Sequence, residues 1–500
     1  VIEMSVCKTT PPRYALLGLP AFVFRLVKLR ADLWLPGYLR QQRAYRRLSR
    51  AQGDVSDVMV LFVDHFEPSK RDSERAAAIV ADWCRTYESI AAGHADSDGR
   101  PPAHTWFYRY DFPSFPCVQG IGESVFRGFG EIEFHLHHGY DTPESFAGTL
   151  REGVRWFSRA GAMISLQPRS PAFAYIAGNW ALDNGRRNPA MSGVNTELSL
   201  LSEAGCYADF TYPAIGTRAQ PAKVNAIYYA TDTPKPKSYT TGVAVAAGRK
   251  PGGDLMIFQG PVGLGWSPRW KRRYIEQGAF EEAYPYWRGR IGPWLRAGVH
   301  VEGRPRWLFV KIHTHGMQSR RVFLSRQLHT LLSDWERHAH RRGIRLHYVT
   351  AREAYNIVKA AEAGQTGDAG RFRDYVIPQP VNRHLICTRP VEFEARSGSR
   401  IQMNVLGNER SCRVRGRGRR EWLLEAQGLR GLDIRDFWGE SPVLGMRGEG
   451  RYRLKVGPGT GEPECSVVDG ALPGSVVLTP KERRVSRVKT VTVRGSGEPV

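Results

Sequence analysis

The stretch Val58–His65, VMVLFVDH, restricts the fold more than any other. It is apolar until its last two residues. A strand with no polar face must be covered on both sides, and that is the situation of a strand inside a parallel sheet. Asp64 and His65, followed by Phe66-Glu67-Pro68, then collect polar groups at its carboxyl end. The pattern recurs along the chain. Helices are expected over Arg71–Ile90, Pro143–Ala160 and Asn195–Ala204, and strands over His104–Tyr110, Ala172–Ile176 and Tyr207–Thr211. Trp307–His315, WLFVKIHTH, is a further strand with its polar residues at the end, followed by a helix over Val322–Arg342 and a strand over Arg345–Val349. Thr350-Ala351-Arg352-Glu353 is a capping box opening a last helix. This alternation from residue 56 to 363 predicts an α/β fold whose length suits a (β/α) barrel, complete or partial.

A second stretch carries the chemistry. Glu131–Asp141 reads EIEFHLHHGYD. On a strand, Glu131, Glu133, His135 and His137 point one way, and Ile132, Phe134, Leu136 and His138 the other. Two imidazoles at i and i+2 on one face can converge on a single metal ion. Thr142-Pro143 then reads as an N-cap and first helical position, so the histidines sit where a strand gives way to a helix. Lys311, His313 and His315 share a face in the same manner. The strand over Ala172–Ile176 runs into a loop holding Asn179, Trp180 and Asp183, and a Gly-rich loop ends at Trp266. If these strands are parallel neighbours, their polar ends meet at one mouth. A metal with an open position, a carboxylate as base and a histidine as acid are equipment for hydrolysing an amide or ester. Trp180 and Trp266 offer flat apolar faces to sugar rings.

The order of these motifs resembles the polysaccharide deacetylase (NodB-homology) family of metal-dependent carbohydrate esterases. The matching segments are Val63-Asp64-His65, Glu131-Ile132-Glu133-Phe134-His135, Tyr175–Trp180 and Lys311-Ile312-His313, within about residues 56–363. The resemblance implies a distorted (β/α) barrel, a divalent metal such as zinc, and removal of N- or O-acetyl groups from a glycan or glycan precursor. By carry-over Asp64 is the base, His65 and His135 are metal ligands and His313 is the general acid. Asn179, Trp180, Trp266 and His315 are candidates for substrate contact. The chain has His65 where the family has Asp, and Gly139 four residues after His135. The remaining ligand is therefore His137 on the alternation argument, or His138 if the strand twists. Tyr175–Trp180 lacks the arginine of the family's third motif. Two rival readings follow: an amidohydrolase-type metal hydrolase, which also uses H-x-H on a barrel strand, and a catalytically silent glycan-binding or scaffold barrel.

Outside the barrel, residues 1–55 contain basic helices, with Arg40, Arg43, Arg46, Arg47 and Arg50 in the second. They make the N-terminus a candidate for peripheral membrane contact. The formal charge is +23. An Arg-rich composition accounts for that by itself, and the chain has no zinc-finger spacing or RNA-recognition signature to point to nucleic acid. Gly364–Gly370 is a linker, 375–458 a small β-rich module, and 459–500 is expected to be disordered. The seven cysteines form no C-x-x-C pair. That fits reduced thiols, and with no signal peptide or apolar span evident the expected location is cytoplasmic or peripheral to a membrane.

Overall fold

The computed structural model describes residues 19–377, apart from 70–72, 161, 163–171, 187 and 268–271; beyond 377 it describes only strand backbone between 389 and 495. The chain divides into two units. The first comprises Val1–Cys117, Gly128–Gly153 and Ala172–Ile377. In order it contains α1 (Leu19–Lys28), α2 (Ala31–Gln52), β1 (Asp57–Phe66), α3 (Ser73–Ala91), β2 (His104–Arg109), the start of α4 (Phe115–Phe126), β3 (Gly130–Leu136) and most of α5 (Pro143–Arg159). It continues through β4 (Phe173–Ala177), α6 (Glu197–Glu203), β5 (Cys206–Asp209), β6 (Ile227–Ala230), β7 (Val243–Ala244), β8 (Leu255–Phe258), β9 (Gly263–Ser267) and β10 (Arg272–Glu276). It closes with α7 (Ile291–Ala297), β11 (Trp307–Thr314), α8 (Arg320–Phe323), α9 (Arg326–Arg342), β12 (Arg345–Tyr348) and α10 (Ala351–Glu362). The second unit is Val118–Arg127, Val154–Pro171 and Pro378–Val500. Its strands Arg389–Glu394, Arg400–Arg417, Glu421–Asp436, Gly450–Lys455 and Glu464–Gly470 pair antiparallel in sequence order. The expected tail 459–500 otherwise lies largely outside the described residues.

The large sheet runs β11-β1-β2-β3-β4-β5-β8-β6-β7, with β12 also paired to β1. Every pairing from β11 to β8 is parallel, whereas β6 pairs antiparallel with β7 and β8. The α/β alternation is as expected. Barrel closure is not present: among the described residues no ladder joins β7 to β11.

β1 shows why its sequence lacks a polar face. Met59, Leu61 and Val63 lie in one core with Phe107, Ile176, Phe258 and Phe309. On the other face Phe62 packs against Phe323, with centroids 5.8 Å apart, and Phe66 against Trp83 at 5.2 Å. His65 and Glu67 continue the first face beyond its apolar layer. The capping box forms at the start of α10: the Thr350 side chain accepts from the Glu353 backbone, and the Glu353 carboxylate accepts from Thr350 N–H. No helix among the described residues is long and apolar enough to cross a membrane, and Cys84, Cys117 and Cys206 are buried.

The basic N-terminal segment is packed on one side. Leu29, Trp34, Ile215, Val224, Val262 and Ile275 form a small separate core. Gly37 lets α2 approach the chain closely, since a Cβ there would lie 2.0 Å from the Ala222 carbonyl oxygen. Gly→Ala inside a helix ordinarily gains up to about 1 kcal/mol from propensity. Here backbone opposes the new methyl and cannot move aside as a side-chain tip would. Gly37→Ala is therefore expected to destabilise by about 1–3 kcal/mol, read as a lower denaturant midpoint. A gain would mean that α2 is not docked this closely.

Candidate metal site

The site lies at the carboxyl ends of β1, β2, β3 and β11. His65, Glu67 and His135 each place a potential ligand atom within 4.8 Å of the others. Glu67 Oε1 lies 3.2 Å from His135 Nε2 and 3.4 Å from His137 Nε2. The opposite ring nitrogens are anchored: His135 Nδ1 lies 2.8 Å from the Ile176 carbonyl oxygen and His137 Nδ1 lies 3.2 Å from Asp111 Oδ1. An imidazole that donates from Nδ1 leaves Nε2 with a lone pair, and such outer contacts orient metal-binding histidines. Arg109 pairs with Asp111 and approaches Glu67 Oε2 at 3.5 Å. Two imidazoles and a carboxylate, with a third imidazole beside them, suit a borderline divalent ion such as zinc.

A second layer faces this cluster. The His315 ring stacks on His65 with centroids 4.6 Å apart, and Trp180 lies 5.8 Å from His65 and 5.6 Å from His315. His315 Nδ1 is 2.7 Å from Glu281 Oε1. His65 and His135 are buried, while Glu67, His137 and His315 are partly exposed, so the cluster reaches solvent. Trp180 and Asn179 both adopt positive φ, 53° and 56°. Strained backbone of this kind concentrates at functional sites.

The electrostatics separate these groups. Burial pushes the Glu67 carboxyl up, but the hydrogen bond with His135 and the charges of His135, His137 and His315 outweigh it and hold it at about 2. Burial, followed by the neighbouring histidines, keeps His65 well below the ordinary imidazole value. Burial and the Lys311 and His315 charges lower His313 to about 4, despite Glu281. For His315 burial is outweighed by Glu281, and the ring rises to about 9.

The expected residues are distributed as follows. His65, His135, His137, Trp180 and His315 come together. His138 does not join them; its Nδ1 is 2.8 Å from Asp141 Oδ2 and its Nε2 is 3.3 Å from Glu197 Oε1. Asp64, expected as the base, is placed apart on the opposite face of β1. It is fully buried, with Oδ2 3.0 Å from His104 Nε2 and Oδ1 accepting from Gly316 N–H at 2.6 Å. Trp83 Nε1 donates to the Gly316 carbonyl. Asp64 thus helps to pin the turn after His315. His313 lies on the cluster's face, enclosed, with its backbone bonded to Gly278 and Phe280. The Asn179 amide reaches the Met191 carbonyl at 3.4 Å, and its own carbonyl accepts from Arg186. Asp183 is buried in that loop and accepts from Ser238 N–H. Trp266 stands exposed on the β9–β10 hairpin with no ring contact to the cluster among the described residues.

Sequence reasoning missed Glu67, Asp111 and Glu281. The first two were within reach. Strand alternation puts Glu67, not Asp64, on the face of His65, and Asp111 two residues beyond Arg109 stands at the next strand end. Glu281 lies in an irregular loop, where periodicity gives no face.

No protein-family model matches the chain, and no curated protein matches it. Among solved structures the chain is similar to a protein from Parabacteroides distasonis provisionally described as a glycoside hydrolase/deacetylase. The identity is 9%, the TM-score 0.35, and the alignment covers 82% of this chain and 85% of the other. A TM-score of 0.35 assigns neither fold nor activity.

Proposed function

We propose that this chain is a metal-dependent hydrolase that removes acetyl groups, N- or O-linked, from a glycan. The observation that carries the reading is the convergence of His65, Glu67 and His135 on one potential ion position, beside the His315–Glu281 pair and Trp180. The motif order resembling polysaccharide deacetylases supports the same class. His65, Glu67 and His135 would hold the ion, with His137 alongside. When bound, a divalent ion would supply Lewis acidity toward an acyl carbonyl and toward water.

The protein's own groups account for the rest. Glu67 and Asp111 are both held below the usual carboxylate range, Asp111 by its bonds to His137 and Arg109 against the effect of burial. At neutral pH both are ionised: they accept hydrogen bonds and have no proton to donate. His315, charged and oriented by Glu281, is the group able to give a proton to a leaving nitrogen or oxygen. His313, held neutral, is less suited to that role than the motif order alone implies. The partly exposed Trp180 indole gives a flat face on which a sugar ring can stack.

The test is acetate release from a panel of O- and N-acetylated glycans by the zinc-supplied protein. Wild type is expected to release acetate, and His315→Ala to lower kcat by about 10²–10⁴-fold. Release unaffected by His315→Ala would remove that residue from the mechanism. No release from any member by an ion-loaded protein would leave the catalytically silent glycan-binding or scaffold reading as the better one.

A further inference from the structure

α2 divides its residues by face. Trp34, Gln42 and Tyr45 are buried, whereas Arg40, Arg43, Arg46, Arg47 and Arg50 are exposed. At 100° per residue the arginines fall on the side opposite Trp34 and Tyr45. Among the described residues none of the five pairs with a carboxylate. An uncompensated basic face of this kind is attracted to a polyanion.

A second observation selects which one. Thirteen large apolar side chains are exposed among the described residues, and six of them stand on only three elements. Val23, Phe24 and Val27 form a stripe on α1, Leu39 is on α2, and Leu264 and Trp266 are on the β9–β10 hairpin. These elements meet in one place. Leu29, just after α1, and Trp34 of α2 share the small core with Val262, just before β9, and Ile275 within β10, and the Tyr38 hydroxyl meets the Leu264 backbone. Nucleic acid would use the arginines but leave the aliphatic stripe in water. A second copy of this chain carries the same formal charge of +23 and would be repelled. A bilayer surface with anionic headgroups satisfies both sets at once: arginines against headgroups, and Phe24, Val27 and Trp266 in the headgroup–acyl boundary, where tryptophan is favoured.

We propose that α1, α2 and the β9–β10 hairpin form a docking surface for an anionic membrane, on which the chain lies without crossing it. The surface is independent of the hydrolytic reading, since none of its residues belongs to the histidine cluster. The experiment is co-sedimentation of the full chain with vesicles of phosphatidylcholine alone, or with phosphatidylglycerol replacing part of it. Anionic vesicles are expected to bind at least about tenfold more tightly, with binding falling as salt rises. Arg43→Glu/Arg47→Glu/Arg50→Glu and, separately, Phe24→Glu/Trp266→Glu are each expected to lower that binding at least about tenfold. Arg→Gln at the same three positions carries the test if charge reversal unfolds the chain. Equal binding to both vesicle types, or anionic binding untouched by either variant, overturns the proposal. So does loss of binding to an RNA homopolymer in the arginine variant with vesicle binding unchanged.

Discussion

Arg290→Met is expected to destabilise the protein by about 3–5 kcal/mol. Arg290 and Glu276 are both fully buried and form a two-point pair, Nε to Oε2 at 2.8 Å and Nη2 to Oε1 at 2.6 Å. The remaining guanidinium N–H groups donate to the Ala279 and Tyr284 carbonyls, and the cation lies against Trp287 and Trp294 at 5.1 and 4.9 Å. Methionine fills much of the volume but leaves an ionised carboxylate with no counter-charge. The cost is therefore that of the stranded Glu276, more than that of the lost bonds. Adding Glu276→Gln to Arg290→Met should restore about 1–3 kcal/mol, because a buried amide is cheaper than a buried charge. The sign with pH follows. Burial raises the Glu276 carboxyl, but Arg290 outweighs it and holds the group below its ordinary value. Its stabilising contribution is present above the unfolded value of 4.5 and is lost as pH falls through the lower folded one. Denaturant midpoints across acid and neutral pH check this. A single variant within 1 kcal/mol of wild type would show that Glu276 is compensated elsewhere. The clasp also bears on function: it closes the segment 276–290, which bonds to the His313 backbone and supplies Glu281 to His315.

How far the sequence reveals this molecule depends on whether a residue lies on a regular element. β1 and β11 were legible because an apolar run ending in polar residues suits a strand covered on both faces and little else, and the structure pairs them directly, Val63 beside His313. β3 gave up His135 and His137 for a similar reason: period-two alternation fixes a face. The same rule read on β1 selects His65 and Glu67 and sends Asp64 to the opposite, equally buried face, whereas motif likeness favours Asp64. Near-neighbours in sequence stand back to back on a strand, so adjacency in a motif does not by itself bring two side chains to one site. Groups that needed tertiary structure were not legible. Glu281 comes from an irregular segment, and the partners of His138, Asp141 and Glu197, lie 3 and 59 residues away with no shared period. Nor did the sequence separate the two roles on one face of β3. Glu131 and Glu133 share the histidines' side yet serve stability: Glu131 is paired with Arg352, and Glu133 accepts from the Tyr207 hydroxyl and Ala174 N–H.

Metal binding should follow the face of β1 and not its motif. The wild-type chain, purified with zinc, is expected to retain about one equivalent, the stoichiometry of a single open three-ligand site. His65→Ala, Glu67→Ala and His135→Ala each remove a proposed ligand and should lower affinity by at least about 100-fold, more than loss of an outer contact does. Asp111→Asn keeps every ligand but weakens the anchor on His137 Nδ1, and belongs to the range of about 10–100-fold. Asp64→Asn and His138→Ala should leave affinity near wild type, since neither side chain reaches the cluster. Equilibrium dialysis with metal analysis reads all six, and circular dichroism establishes that each variant is folded. The comparison of Glu67 with Asp64 decides most. Retention in Glu67→Ala with loss in Asp64→Asn would mean that the chain binds metal through the motif's Asp-His pair, with β1 turned from its present face. Retention by none, wild type included, would remove the hydrolytic reading altogether. Loss with His65→Ala, Glu67→Ala and His135→Ala but not with Asp64→Asn would establish a ligand set in which two side chains on one face, at the end of β1, meet His135 of β3.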